Sequence, residues 1–151
     1  MGYSYPLQHK DTFTVEIDGI TVAEFRMCSE IKATAATLSQ RSGGTRRSHK
    51  EPGAITDEPI TLTRSHGHGR ELYDWWLQTM DYRKGVGVPL SQLKKDLDIV
   101  DWHIDGTEAR RWHVHGAFIS SYSAGDRDNN ADEFADEIVI LEHDGAELVT
   151  D

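Results

Sequence analysis

The chain has 151 residues, with 16 Lys and Arg against 26 Asp and Glu, a net charge of −10. That length suits one domain around one core, and the acidic balance argues against a surface built to grip nucleic acid. No apolar run approaches the ~18 residues of a membrane span. The opening Met1-Gly2-Tyr3-Ser4-Tyr5-Pro6 lacks the basic-then-apolar order of a signal peptide, and the lone Cys28 leaves no partner for a disulfide or a thiolate zinc site.

In chain order, Phe13, Val15 and Ile17 alternate with polar residues and predict a half-buried strand. Asp18-Gly19 then turns the chain, and Ile20 to Phe25 returns as the second arm of a hairpin. A third strand is predicted over Glu30 to Leu38, whose Ala33, Ala35 and Ala36 suit a crowded contact, a neighbour or an edge. Ser39 to Thr56 reads as a long break punctuated by Gly43-Gly44 and Pro52-Gly53. Ile60 to Thr63 is a short strand, His66 to Gly69 a turn, and Glu71 to Met80 a helix that buries Leu72, Trp75, Trp76 and Met80. Adjacent tryptophans cannot point the same way, so one belongs in the core and the other on a flank or toward a partner. Asp81 to Lys95 is irregular, with a short amphipathic turn from Leu90. A second hairpin joins Ile99–Ile104 to Ala109–Ile119 around Asp105-Gly106. Asp126 to Asp132 is a polar loop, and Glu137 to Glu142 is a strand apolar on both sides, hence central or covered. The fold class is α+β and mainly β: an antiparallel sandwich or barrel flanked by one helix, in one domain over residues 1–151 with a long loop at about 39–56.

Charge is unevenly placed. Asp126 to Asp151 holds ten carboxylates and one Arg, whereas Arg41 to Lys50 holds four cations and no carboxylate. The chain therefore offers two complementary patches.

Catalytic patterns are missing. There is no G-x-S-x-G elbow, no P-loop and no H-E-x-x-H, so an enzyme is not expected, nor any cofactor. His113 and His115 share a strand face, and His66 and His68 form a similar pair in a Gly-rich turn. Nothing in the spacing brings the pairs together, so no metal site is expected.

A succession of strings resembles the tail tube proteins of contractile phage tails and phage-derived injection systems. They are Phe13-Thr14-Val15-Glu16-Ile17-Asp18-Gly19-Ile20, then Lys50-Glu51-Pro52-Gly53, Ile60-Thr61-Leu62-Thr63-Arg64, Leu72-Tyr73-Asp74-Trp75, Gly116-Ala117-Phe118 and the stretch Asn129 to Glu142. The resemblance covers roughly Thr12 to Val149. Cys28-Ser29-Glu30-Ile31 departs from the family's Ser-Gly-Leu-like string, Asp81 to Leu97 is longer than usual, and Asp126 to Asp136 is more acidic. Those departures fit a divergent tube subunit or a tube-initiating baseplate relative.

The resemblance implies hexameric rings stacked head-to-tail around a lumen for DNA or protein, with sheath and baseplate proteins as partners. It implies a subunit made in the cytoplasm, without membrane insertion, and assembled into a virion tail or a released or cell-bound injection particle. It makes Arg41, Arg46, Arg47, His49 and Lys50 the ring-stacking loop. Charge complementarity adds Asp126, Asp128, Asp132, Glu133, Asp136 and Glu137 as the candidate acidic partner surface on the next ring. The acidic balance also suits a bore that repels phosphate.

Overall fold

The computed structural model describes residues 13–18, 20–23, 25–41, 43–44, 46–65, 69–85, 87, 89–125, 128–130 and 136–149, with 20–23 described by backbone alone. In chain order its elements are β1 (Phe13–Ile17), β2 (Ile20–Ala23), β3 (Met27–Cys28), β4 (Ala33–Gln40), β5 (His49–Asp57), β6 (Ile60–Ser65), α1 (Glu71–Lys84), α2 (Leu90–Leu93), β7 (Lys95–Trp102), β8 (Glu108–Ser123), β9 (Asp136–Glu142) and β10 (Gly145–Leu148). One sheet runs β2-β1-β7-β8-β9-β6-β3, with β10 also on β8, while β4 and β5 pair only with each other. Every pairing is antiparallel.

Alternation builds the first half of the large sheet. Val15 and Ile17 face the core from β1, which lies in unbroken register on β7, with Phe13 opposite Asp101 and Ile17 opposite Leu97. The predicted Asp-Gly turn joins β1 to β2, but its Gly19 lies outside the described residues. β8 exchanges partners along its length. Trp112 to Val114 pair with β7 on one edge and Trp112 to His115 with β10 on the other, whereas Phe118 to Ser123 pair with β9.

A bulge lies between the two stretches. Between the Leu97–Val114 and Lys95–Ala117 pairs, β7 advances two residues and β8 three. Gly116 holds φ 57°, a left-handed value that suits glycine at the extra position. The bulge flips the inward parity, so Val114 is buried before it and Ala117 and Ile119 after it. The two halves then share one core. Val15, Ile17, Leu97, Ile99 and Val114 come from the first half, and Ile60, Leu62, Ile119, Val139 and Leu141 from the second. The fold is mainly antiparallel β, as the sequence pattern implies, and β9 lies centrally between β6 and β8.

The helix α1 lies against β8. Leu72 and Trp75 are buried, and the Thr79 hydroxyl donates to the Ile119 carbonyl at 3.1 Å. Its end differs from expectation: it runs one turn past Met80, to Lys84. The apolar stripe stops earlier, but the helix needs Gly85 at φ 81° to terminate, with the Gly85 N–H on the Tyr82 carbonyl. Glu71 and Asp74 at its start and Arg83 and Lys84 at its end complement the helix dipole. The turn after Pro89 forms α2, and its Leu93 is buried.

The stretch expected as a long loop at about 39–56 is mostly strand. β4 continues to Gln40, and β5 starts at His49, leaving only 41–48 as the connection. The ladder runs from Ala33 opposite Asp57 to Gln40 opposite His49, broken by one irregularity between Ala35 and Thr37. Gly53 sits within that irregularity, where an added Cβ would stand 3.2 Å from the Ala36 carbonyl and from Leu38 Cγ. Pro52 and Gly53 therefore mark a bulge in an edge strand, not a loop.

Candidate functional site

The β4–β5 ribbon stands apart from the rest of the fold. All eight residues of β4 are exposed, and in β5 only Gly53 and Asp57 are partly covered. Leu38 and Ile55 are 52% and 64% exposed. Among the described residues, each strand has one unpaired edge, because neither joins the large sheet. At the ribbon's end, Arg41, Arg46, Arg47, His49 and Lys50 are all exposed. The structure thus gathers the five predicted basic-loop residues at one tip, with His49 and Lys50 on β5 itself.

The predicted acidic surface divides. Asp126, Asp132 and Glu133 lie outside the described residues. Asp128 is exposed and accepts the Asn130 N–H at 2.9 Å. Asp136 pairs with Arg26. Glu137 does not belong to a surface: it is 8% exposed and meets Arg64, itself 1% exposed. Arg64 Nε donates to Glu137 Oε1 at 2.5 Å, Nη1 lies 3.2 Å from Glu71, and Nη2 donates to the Gly69 carbonyl at 2.7 Å. The Tyr122 hydroxyl donates to the other Glu137 oxygen. Burial, then the Glu137 carboxylate, pushes the Tyr122 phenol pKa up. This network joins β6, β8, β9 and the start of α1. The period of two signals it: Arg64 follows Ile60 and Leu62 on one strand face, and Glu137 precedes Val139 and Leu141 on another.

Of the adjacent tryptophans, Trp75 is in the core, with its Nε1–H donating to the Leu93 carbonyl at 2.8 Å. Trp76 is half-buried and lines an outer apolar groove of about 500 Å³ with Met80, Leu90 and Phe118.

The histidine pairs part company. His66 and His68 lie outside the described residues. His113 and His115 stack edge to face, with centroids 4.5 Å apart. They sit between carboxylates of two neighbouring strands. His113 Nδ1 is 2.5 Å from Asp98 Oδ1, His113 Nε2 is 3.4 Å from Asp96 Oδ2, and His115 Nε2 is 3.1 Å from Glu147 Oε1. A carboxylate only accepts, so Nδ1 of His113 carries the proton toward Asp98. That hydrogen bond holds the His113 pKa above the ordinary imidazole value.

Residues 10–147 match the family of the T4-like virus tail tube protein gp19. The chain belongs to this family. Among solved structures, this tail tube family member is similar to a chain of an extracellular contractile injection system, the PVC sheath–tube complex in its extended state. That pair is 26% identical, with a TM-score of 0.74 over 97% of this chain and 91% of the other. A chain of the PVC sheath/tube terminator is 25% identical, with a TM-score of 0.75 over 91% and 93%. Hcp1 from Flavobacterium johnsoniae, at 12% identity and a TM-score of 0.61 over 91% and 94%, shares the fold. No curated protein sequence matches the chain. The tail tube family is structural, not enzymatic. The one thiol fits that role: burial, then Asp101, pushes Cys28 up to about 11, so it stays protonated and unreactive near neutrality. No helix among the described residues is long and apolar enough to cross a membrane.

Proposed function

We propose that this tail tube family member is the repeating subunit of the inner tube of a contractile tail or injection machine. Copies form hexameric rings, the rings stack head-to-tail, and the lumen passes DNA or protein cargo. Sheath and baseplate proteins surround and seed the tube.

The observation that carries this reading is the β4–β5 ribbon. A two-stranded ribbon alone is marginal in water, and an open strand edge is a template for another chain. Among the described residues both edges are open and both faces are largely exposed, with Leu38 and Ile55 among them. A neighbouring copy that adds strands to this ribbon would satisfy its backbone groups and cover those side chains. Identical contacts repeated around a ring need no other partner.

The tip residues Arg41, Arg46, Arg47, His49 and Lys50 serve ring stacking in this reading. Their counterparts in this reading are carboxylates of the next ring: exposed Asp128 among the described residues, half-buried Asp136 at the cost of sharing it with Arg26, and Asp126, Asp132 and Glu133, which lie outside the described residues. Glu137 is withdrawn from that set because Arg64 already neutralises it inside the subunit.

Sedimentation of the purified chain tests oligomer formation. The expected species is a ring of six chains of 17.0 kDa each, or stacks of such rings, and deletion of the ribbon should leave a folded monomer. A full-length chain that sediments only as a monomer at all accessible concentrations would rule the reading out.

A further inference from the structure

We propose that His113, His115 and Asp96 form a binding site for a divalent transition metal ion, of the zinc, cobalt or nickel class. The three residues place ligand atoms within 4.8 Å of one another. Imidazoles two apart on a strand project from one face, so the backbone itself directs His113 and His115 together. The third ligand comes from the adjacent strand, where Asp96 of β7 lies beside this stretch of β8. For metal–ligand bonds of about 2.0–2.1 Å, the edge of a tetrahedron is about 3.3 Å. His113 Nε2 and Asp96 Oδ2 already stand 3.4 Å apart. The His115 side chain, 46% accessible, turns to close the remaining distance, while Asp96 stays in place.

The surroundings supply what a metal-binding imidazole requires. His113 donates its Nδ1–H to Asp98, which directs the Nε2 lone pair toward the site. Asp98 is fixed in turn by Arg111 Nη1 at 2.5 Å. Asp96 is held from its other oxygen, where Oδ1 accepts the Gly116 N–H of the β8 bulge at 2.9 Å. Glu147 of β10, 3.1 Å from His115, adds a second carboxylate at the rim. Two imidazoles with carboxylates suit borderline d-block ions better than magnesium, which prefers oxygen alone. A bound ion would tie β7 to β8 beside the β8 bulge.

Titration of the full chain with Co²⁺, read by its visible absorption and by calorimetry, tests the site. The expected result is one ion per chain, absorption of four- or five-coordinate cobalt, and displacement by Zn²⁺. His115→Ala and Asp96→Asn should each weaken binding by more than about tenfold, while Asp98→Asn weakens it about 10–100-fold through His113. Both ligand positions are exposed, so these variants should keep the metal-free unfolding midpoint. The proposal fails if no ion binds. It fails equally if binding survives the combined His115→Ala/Asp96→Asn change, which would place the ion on other histidines. Competition by Mg²⁺ as strong as that by Zn²⁺ would also overturn it, since that outcome marks a merely acidic patch.

Discussion

Replacing Arg64 with Ala is expected to destabilise the subunit by about 3–5 kcal/mol, because it strands the buried Glu137 carboxylate without its cation. The loss extends beyond one pair. Arg64 also holds the Gly69 carbonyl and Glu71, so the entry to α1 loses its tether to β6. Urea unfolding of the dispersed chain measures the effect through the midpoint, with the slope as a check on two-state behaviour. The double change Arg64→Met/Glu137→Met should cost less than the single change, since no uncompensated buried charge remains. A single-variant loss below about 1 kcal/mol, the scale of a surface pair, would mean that the network is not closed to water.

Reversing two charges at the ribbon tip, Arg46→Glu with Arg47→Glu, is expected to stop ring stacking and leave folding intact. Both residues are exposed, so the unfolding midpoint should move by no more than about 0.5 kcal/mol. At an interface, like charges placed together cost several kcal/mol. Each 1.4 kcal/mol is about a factor of ten in affinity, so tube elongation should need protein concentrations at least ~100-fold higher. Electron microscopy of the variant should show rings without tubes. Raising salt toward 1 M, where the screening length falls to about 3 Å, should weaken stacking of the unaltered chain in the same direction. Normal tubes from the reversed variant would remove the electrostatic account of the stacking loop.

The large sheet was legible because its strands bury one face, and burial leaves a period of two. Val15 and Ile17 around Asp18-Gly19, and Ile99 and Val114 around Asp105-Gly106, announced both hairpins. Of the ribbon, the strand expected over Glu30 to Leu38 covers most of β4, whereas β5 was not legible as strand. Among the described residues β5 is exposed except at Gly53 and Asp57, so His49 to Asp57 shows no inward face to alternate, and Pro52-Gly53 reads as a break. In the proposed ring its partner lies in another copy, and a single sequence shows only the interior of its own fold. β10 was missed for a related reason. It has four residues, starts at Gly145 and gains its place only by pairing with β8.

Charge was read in bulk where position mattered. Glu137 counted as part of an acidic surface, although the apolar alternation of Val139 and Leu141 already put it on the core face. Arg64, beside Ile60 and Leu62, lies on the core face by the same rule, and the β6–β9 register sets it opposite Glu137. The histidines show the opposite limit. His113 and His115 were visible as a pair, but Asp96, Asp98 and Glu147 reach them only through strand register, which their separation in sequence does not reveal.

The central claim is that the β4–β5 ribbon is completed by other copies of the chain. Cryo-electron microscopy of the purified, assembled protein tests it most directly. The account predicts stacked rings in which residues 33–57 join a sheet shared between neighbouring subunits, with the basic tip against the next ring. Tubes whose ribbons touch no other subunit, or protein that forms neither rings nor tubes, would contradict it.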